Sequence, residues 1–129
     1  MLPVLIALAA IASDSPTFSD NRVPDEQLVS RVEVKVVMPK GAGPLASYDR
    51  SYTQAKLGDK DYVLGQMIDH RLMQEFAAHG THPHPPPVRR VLMKEIEPAF
   101  DGGCAILTLT YQVGSAEPPK VVCNPEGPH

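Results

Sequence analysis

The sequence contains one cluster of metal-binding side chains, the three histidines His79, His82 and His84. Neutral imidazoles are good ligands for zinc and copper, and a loop that folded back would bring two or three of them to one ion. No cysteine or carboxylate within the cluster completes a site, and the polyproline geometry of Pro83 and Pro85–Pro87 directs neighbouring side chains apart. The pattern favours a solvated, proline-rich connector, and zinc or copper binding through the three histidines is an alternative function.

Serine, tyrosine, aspartate and histidine residues raise the question of hydrolytic chemistry. None of the serines from residue 28 to residue 123 lies in a Gly-x-Ser-x-Gly or Ser-x-x-Lys motif. His70 follows Asp69, but adjacent helix positions point about 100° apart, so the two do not make a preformed acid-base pair. A hydrolytic enzyme is therefore a further alternative, which requires side chains from different segments to converge in a cleft. The residues that could line such a cleft are Tyr48, Asp49, Arg50, Tyr52 and Tyr62.

Cys104 and Cys123 are the only cysteines, and an even pair in an exported chain typically forms a disulfide. Their spacing lacks the Cys-x-x-Cys pattern of catalytic thiols, which favours a structural bond. If the two cysteines face each other across an antiparallel hairpin, the turn centres on the Val113–Gly114 junction, and we favour this register. A turn centred on Ala116–Glu117 would instead place Cys123 opposite Thr110 and would require a bulge or a bend.

The first twelve residues predict an export signal. Leu2 to Ala12 has no charged side chain and ends on a small-x-small triplet, so residues 1–12 are predicted to be a signal peptide. This apolar run is shorter than the roughly 20 residues needed to cross a bilayer, so we expect no transmembrane segment in the mature chain. Residues 13–27 are polar and predict a flexible leader. The expected location is therefore the periplasm or the outside of the cell.

Composition narrows the class of protein. The 129 residues carry a net charge of −3, and basic residues are scattered rather than clustered, which argues against nucleic-acid binding. The length after the leader predicts one domain, residues 28–123, followed by a tail of residues 124–129. No cofactor motif is present, so we expect no cofactor.

Five regular elements are predicted between the prolines. Alternation after Leu28 predicts a half-buried strand, with Val32, Val34, Val36 and Met38 on one face. A four-residue repeat of Leu64, Ile68, Leu72 and Phe76 predicts a helix that Asp59 or Asp61 caps and Gly80 ends. Strands are predicted for residues 88–97, 104–113 and 120–123, where residues 88–97 also allow a helix.

These elements predict an α+β fold. The expected domain is small and two-layered, with an antiparallel sheet of about four strands and one amphipathic helix on one face, in the order β-α-β-β-β. Many secreted inhibitors, binding modules and carriers share such a layout, so the layout does not select a function. We expect an exported, non-enzymatic binding or structural module with a protein or small-molecule partner. Its expected contact surfaces are the connector around His84 and the sheet edge near Lys120.

Overall fold

The structure, a computed structural model, describes residues 17–79, 87–99 and 101–126. This part of the chain contains six strands and two α-helices. No helix in it is long and apolar enough to cross a bilayer. The elements are β1 (Phe18–Arg22), α1 (Glu26–Lys35), β2 (Tyr48–Leu57), β3 (Lys60–Asp69), α2 (His70–His79), β4 (Val88–Arg90), β5 (Ile106–Gln112) and β6 (Lys120–Cys123).

The six strands form one sheet in which β1, β2, β3, β5 and β6 lie side by side and antiparallel. The short strand β4 pairs in parallel with residues 50–52 of β2, and β1 pairs with residues 54–57 further along the same strand. The α+β class agrees with the prediction. The strand count and the element order differ, because six strands and two helices replace four strands and one helix.

Helix α1 replaces the strand predicted after Leu28. The Asp25 carboxylate accepts a hydrogen bond from the Leu28 N–H at 2.8 Å and caps the helix. Val32 is fully buried whereas Val34 is 86 % exposed, so the two valines lie on opposite sides, as helical spacing requires and strand alternation forbids. The predicted strand was therefore wrong. The predicted leader, residues 13–27, contains β1 and the first residues of α1.

Strand β3 replaces the first half of the predicted central helix, and only residues 70–79 are helical. A four-residue spacing is also an even number, so Leu64 and Ile68 share one face of a strand as readily as one face of a helix. Gly58, with φ of 65°, makes the two-residue turn that joins β2 to β3. This hairpin, with ten paired residues on each strand, overrides the helical pattern.

The core lies between α1 and one face of the sheet. Because strands alternate their side chains, Tyr48 and Tyr52 of β2 share that face with Val63 and Met67 of β3. The helix contributes Leu28, Val29 and Val32, and strands β5 and β6 contribute Leu107, Leu109, Tyr111 and Val121.

Gly65 is required where the Tyr52 ring crosses β3. A Cβ atom at Gly65 would lie 2.9 Å from two ring carbons of Tyr52, closer than side chains approach. We expect Gly65→Ala to lower the free energy of unfolding by about 2 kcal/mol in urea titration, because the ring must move. In a Tyr52→Leu background the same change should cost much less. An equal cost in both backgrounds would show that the ring contact is not the cause.

The β5–β6 hairpin has neither of the two registers considered. Leu107 pairs with Cys123, so the turn centres on Ser115. Cys104 lies in a 3₁₀ turn, Gly103–Ala105, that precedes β5, and this turn rather than strand pairing brings its sulfur to Cys123. The predicted disulfide is present, and the register favoured for it was wrong.

Residues 91–99 lie across the face of the sheet opposite α1. Only residues 88–90 of the predicted strand 88–97 are extended in the sheet, and a 3₁₀ turn follows at Met93–Glu95. Gln66 donates to the Glu97 carbonyl at 2.7 Å, and Asn124 donates to the Ala99 and Asp101 carbonyls at 3.2 Å each. These bonds fix the approach to the Gly103–Ala105 turn.

Candidate functional site

A cleft of about 660 Å³ opens at one end of the sheet. Three connections line it: the loop before β2, the junction between β3 and α2, and the Gly103–Ala105 turn. They meet because β2 begins where β3 ends, with Tyr48 paired to Asp69, and because Ile68 pairs with Ile106 at the start of β5. The volume is within the range of small-molecule sites, about 300–1,000 Å³.

The Tyr48 hydroxyl joins two walls of the cleft. It accepts a hydrogen bond from the Gly43 N–H at 3.1 Å and donates one to the Cys104 carbonyl at 2.8 Å. The side chain is almost fully buried, so these bonds are made in a poorly hydrated setting where they are strong. The hydroxyl therefore holds the glycine loop against the Gly103–Ala105 turn.

The disulfide forms part of the same wall. Cys104 lines the cleft and is bonded to Cys123 of β6, with Cα atoms 4.5 Å apart. Gly41 has φ of 92°, and a Cβ atom there would lie 3.3 Å from the Cys104 sulfur. A glycine at this position therefore allows the loop to turn directly against the disulfide.

The charged rim of the cleft consists of Asp69, His70 and Arg71. One Asp69 oxygen, Oδ1, accepts the Arg71 N–H at 2.9 Å and lies 3.5 Å from Arg71 Nε. The Arg71 side chain is 88 % exposed. Asp69 is thereby committed to the first turn of α2, and the end of the Arg71 side chain extends into solvent.

His70 lies near Asp49 rather than acting with its neighbour Asp69. Its Nδ1 atom is 3.4 Å from Asp49 Oδ1, and the Asp49 side chain is only 7 % exposed. The β2–β3 register explains the pairing, because Asp49 lies opposite Ile68, close to the end of β3. A buried carboxylate beside a half-exposed imidazole favours the tautomer that carries its proton on Nδ1.

A second polar cluster fixes α1 to β2 and supports the loop above it. Arg50 donates to both Glu33 oxygens, at 2.8 and 3.0 Å, and the Tyr52 hydroxyl donates to Glu33 at 2.5 Å. The remaining Arg50 nitrogen, Nη1, donates to the carbonyls of Leu45 and Tyr48, at 3.3 and 3.0 Å. Glu33 is thus linked through Arg50 to the first residue of the 3₁₀ turn Leu45–Ser47 and to the residue that follows the turn, next to the cleft.

Electrostatics in this cluster favour the ion pair. Burial alone would raise the pKa of Glu33, but hydrogen bonds from Arg50 and Tyr52, together with the Arg50 charge, lower it below its usual value. The hydrogen bond to Glu33 raises the pKa of Arg50. Burial and the Glu33 carboxylate raise the pKa of Tyr52, which stays protonated. The cluster is a structural brace, because all three groups are satisfied internally.

The residues singled out from the sequence have different locations. Of the predicted cleft tyrosines, Tyr48 lines the cleft, whereas Tyr52 packs in the core and Tyr62 contacts Phe18 on the other face. His79 is the last residue of α2, and the structure describes its backbone only. His82 and His84 lie outside the described residues. The described part contains no group of three or more potential metal ligands. Metal binding through the three histidines stays a prediction.

Of the two predicted contact surfaces, the sheet edge near Lys120 lies within the described residues. The centre of the connector, around His84, lies outside the described residues. Strand β6, which begins at Lys120, is at the end of the sheet and pairs with β5 alone among the described strands. No motif in the loop from Gly41 to Pro44 predicts its place in the cleft, because that place depends on the Gly103–Ala105 turn beside it.

A scan against protein-family models and searches of curated proteins and of solved structures give no match for this chain. Its function is therefore inferred from the cleft.

Proposed function

We propose that the protein is an exported, non-enzymatic binding module that takes a small ligand into the cleft beside Tyr48. The observation that carries this proposal is the bracing of the cleft walls. The Tyr48 hydroxyl links the loop at Gly43 to Cys104, and the disulfide links Cys104 to Cys123. The hydroxyl joins the two walls to each other and the disulfide joins one of them to β6, so the cleft has its shape before a ligand arrives.

Such preorganisation supports binding because a ligand then orders little of the protein. Ordering a flexible side chain at an interface costs about 0.5–1.5 kcal/mol, and a loop that is already fixed avoids that cost. The Arg50 nitrogen bonded to the Leu45 and Tyr48 carbonyls restrains the loop further. A rigid, open cleft of about 660 Å³ is suited to a molecule rather than to an ion.

Export is supported by two features that do not depend on the cleft. The apolar run Leu2 to Ala12 predicts a signal peptide, and the Cys104–Cys123 disulfide is the form expected in an oxidising compartment. The predicted signal peptide lies outside the described residues.

Filling the cleft tests the proposal. Ala46 lines the cleft with an exposed side chain, so Ala46→Trp should occupy it without disturbing the core. We expect a library of small fragments, followed by amide NMR, to shift the signals of Gly43, Arg71 and Ala105 in the wild type. Ala46→Trp should weaken the same hits at least tenfold. Ala116→Trp, at an exposed alanine of the β5–β6 turn, is the matched control and should bind like the wild type.

Two outcomes would reject the binding module. In the first, no fragment shifts the cleft signals of the wild type. In the second, Ala46→Trp retains every hit while its signals outside the cleft match those of the wild type.

A further inference from the structure

The hydrogen-bonding groups of the cleft are unequally available to a ligand. The Tyr48 hydroxyl already donates and accepts, and the Ser47 hydroxyl donates to the Pro44 carbonyl at 2.7 Å. Asp69 Oδ1 faces two N–H groups of Arg71, its backbone N–H and Nε. The two hydroxyls are therefore engaged with the protein, and the Asp69 side chain, only 23 % exposed, is paired through Oδ1 with Arg71.

Arg71 differs from these residues because its side chain is 88 % exposed and its two terminal nitrogens extend beyond the ion pair with Asp69. Within the part of the chain that the structure describes, its contacts are made by the backbone N–H and by Nε, both with Asp69. The two terminal nitrogens, Nη1 and Nη2, have no acceptor there. A guanidinium with two parallel N–H donors matches a carboxylate, which accepts both.

The rest of the lining is largely apolar. Pro44, Ala46 and Ala105 line the cleft together with Tyr48 and the disulfide-bonded Cys104. These groups favour a hydrocarbon or aromatic body, and burial of such a body contributes about 25 cal/mol per Å². The complement of the cleft is thus a molecule with an apolar body and one acidic end.

We propose that the cleft binds a carboxylic acid with an apolar body, whose carboxylate accepts hydrogen bonds from Arg71. The proposal rests on the proposed binding function and adds the chemical class of the ligand. Because the guanidinium is largely exposed, its contribution is a selectivity of about threefold rather than the bulk of the affinity. A free small acid and the carboxyl terminus of a peptide share this chemistry.

Three probes of matched shape test the class of ligand. We expect phenylbutyrate to bind about threefold more tightly than phenylbutylamine or phenylbutanol in amide NMR titrations of the full chain at low salt. Arg71→Gln should abolish this preference while the alcohol binds as before. Arg31→Gln removes an exposed arginine of α1 outside the cleft and should leave all three affinities unchanged.

The source of the carboxylate is distinguished by a short peptide that ends in phenylalanine, used as the free acid and as the amide. A free-acid peptide that binds more tightly than phenylbutyrate and weakens in Arg71→Gln would support the proposal and assign the ligand to peptide termini. Tighter phenylbutyrate binding with the same Arg71 dependence would support a free acid.

Failure of this inference differs from failure of the binding function. If all three probes bind the wild type equally and Ala46→Trp abolishes their binding, the cleft binds ligands but does not select carboxylates, which overturns the inference alone. If none of the probes, and no fragment, shifts the cleft signals, the binding function fails with it.

Discussion

Replacing Glu33 with alanine should lower the free energy of unfolding by about 3 kcal/mol, measured by urea titration at neutral pH. The side chains of Glu33 and Arg50 are only 19 % and 12 % exposed, and the Tyr52 hydroxyl also donates to the Glu33 carboxylate. The alanine variant leaves Nε and Nη2 of Arg50 and the Tyr52 hydroxyl without the carboxylate that they share, in a largely dry environment. Such a loss costs more than the ion pair contributes, because the desolvation of the remaining groups is no longer offset.

A double-mutant cycle identifies the cause of this loss. Glu33→Leu combined with Arg50→Met removes both charges and keeps apolar volume, so the double variant should be more stable than either single variant. Purely additive losses would show that Glu33 and Arg50 are not energetically coupled and would contradict the proposed brace.

The pH dependence of the Glu33 effect has a defined sign. The pKa of Glu33 is lowered in the folded protein, so its contribution is fully present above the unfolded value of about 4.3. It is lost as the pH falls through the lowered folded value. The stability difference between the wild type and Glu33→Gln should therefore be constant near neutral pH and shrink in acid. A difference that grows in acid would mean that the pKa is raised instead.

The elements that could be predicted from sequence are those whose hydrophobic pattern fits either a strand or a helix, but not both. Strands β5 and β6 lie where strict alternation and turn residues place them, within residues 104–113 and 120–123. Helix α1 was missed because valines at 32, 34 and 36 satisfy strand alternation, while the helix depends on a cap at Asp25 and on packing. Strand β3 was missed because a spacing of four suits both a helix and a strand.

The cleft could be anticipated only in its parts. The sequence predicts Tyr48 as a cleft residue and Cys104 as a disulfide cysteine. The hydrogen bond from the Tyr48 hydroxyl to the Cys104 carbonyl joins residues 56 positions apart, and it depends on a strand register that the sequence does not specify. The pairing of His70 with Asp49 likewise depends on β3 being a strand. The loop from Gly41 to Ser47 becomes a wall only when the Gly103–Ala105 turn lies opposite it. These are tertiary relations, so local patterns carried no signal for them.

Removing the disulfide, by Cys104→Ser with Cys123→Ser, should lower the free energy of unfolding by about 3 kcal/mol. The bond closes a loop between residues 19 positions apart, which restricts the unfolded chain, and it fixes the end strand β6 to the turn before β5. Urea titration of the oxidised wild type, the reduced wild type and the double variant measures the effect. The reduced wild type and the double variant should unfold at similar urea concentrations.

The same variant separates the stability of the fold from the shape of the cleft. Without the disulfide, the Gly103–Ala105 turn keeps the Tyr48 hydrogen bond to the Cys104 carbonyl and the Gly103 N–H bond to the Pro125 carbonyl, at 2.8 and 3.3 Å. At low temperature, where the double variant is folded, we therefore expect it to bind phenylbutyrate within about threefold of the wild type. Tyr48→Phe with the disulfide intact should bind phenylbutyrate more weakly, because this variant loses the hydrogen bond between the two walls, and a hydrogen bond contributes about 1 kcal/mol. If disulfide removal weakens binding more than Tyr48→Phe does, the covalent link and not the hydroxyl holds the cleft in shape. Equal binding by all three proteins would show that neither link matters for the ligand.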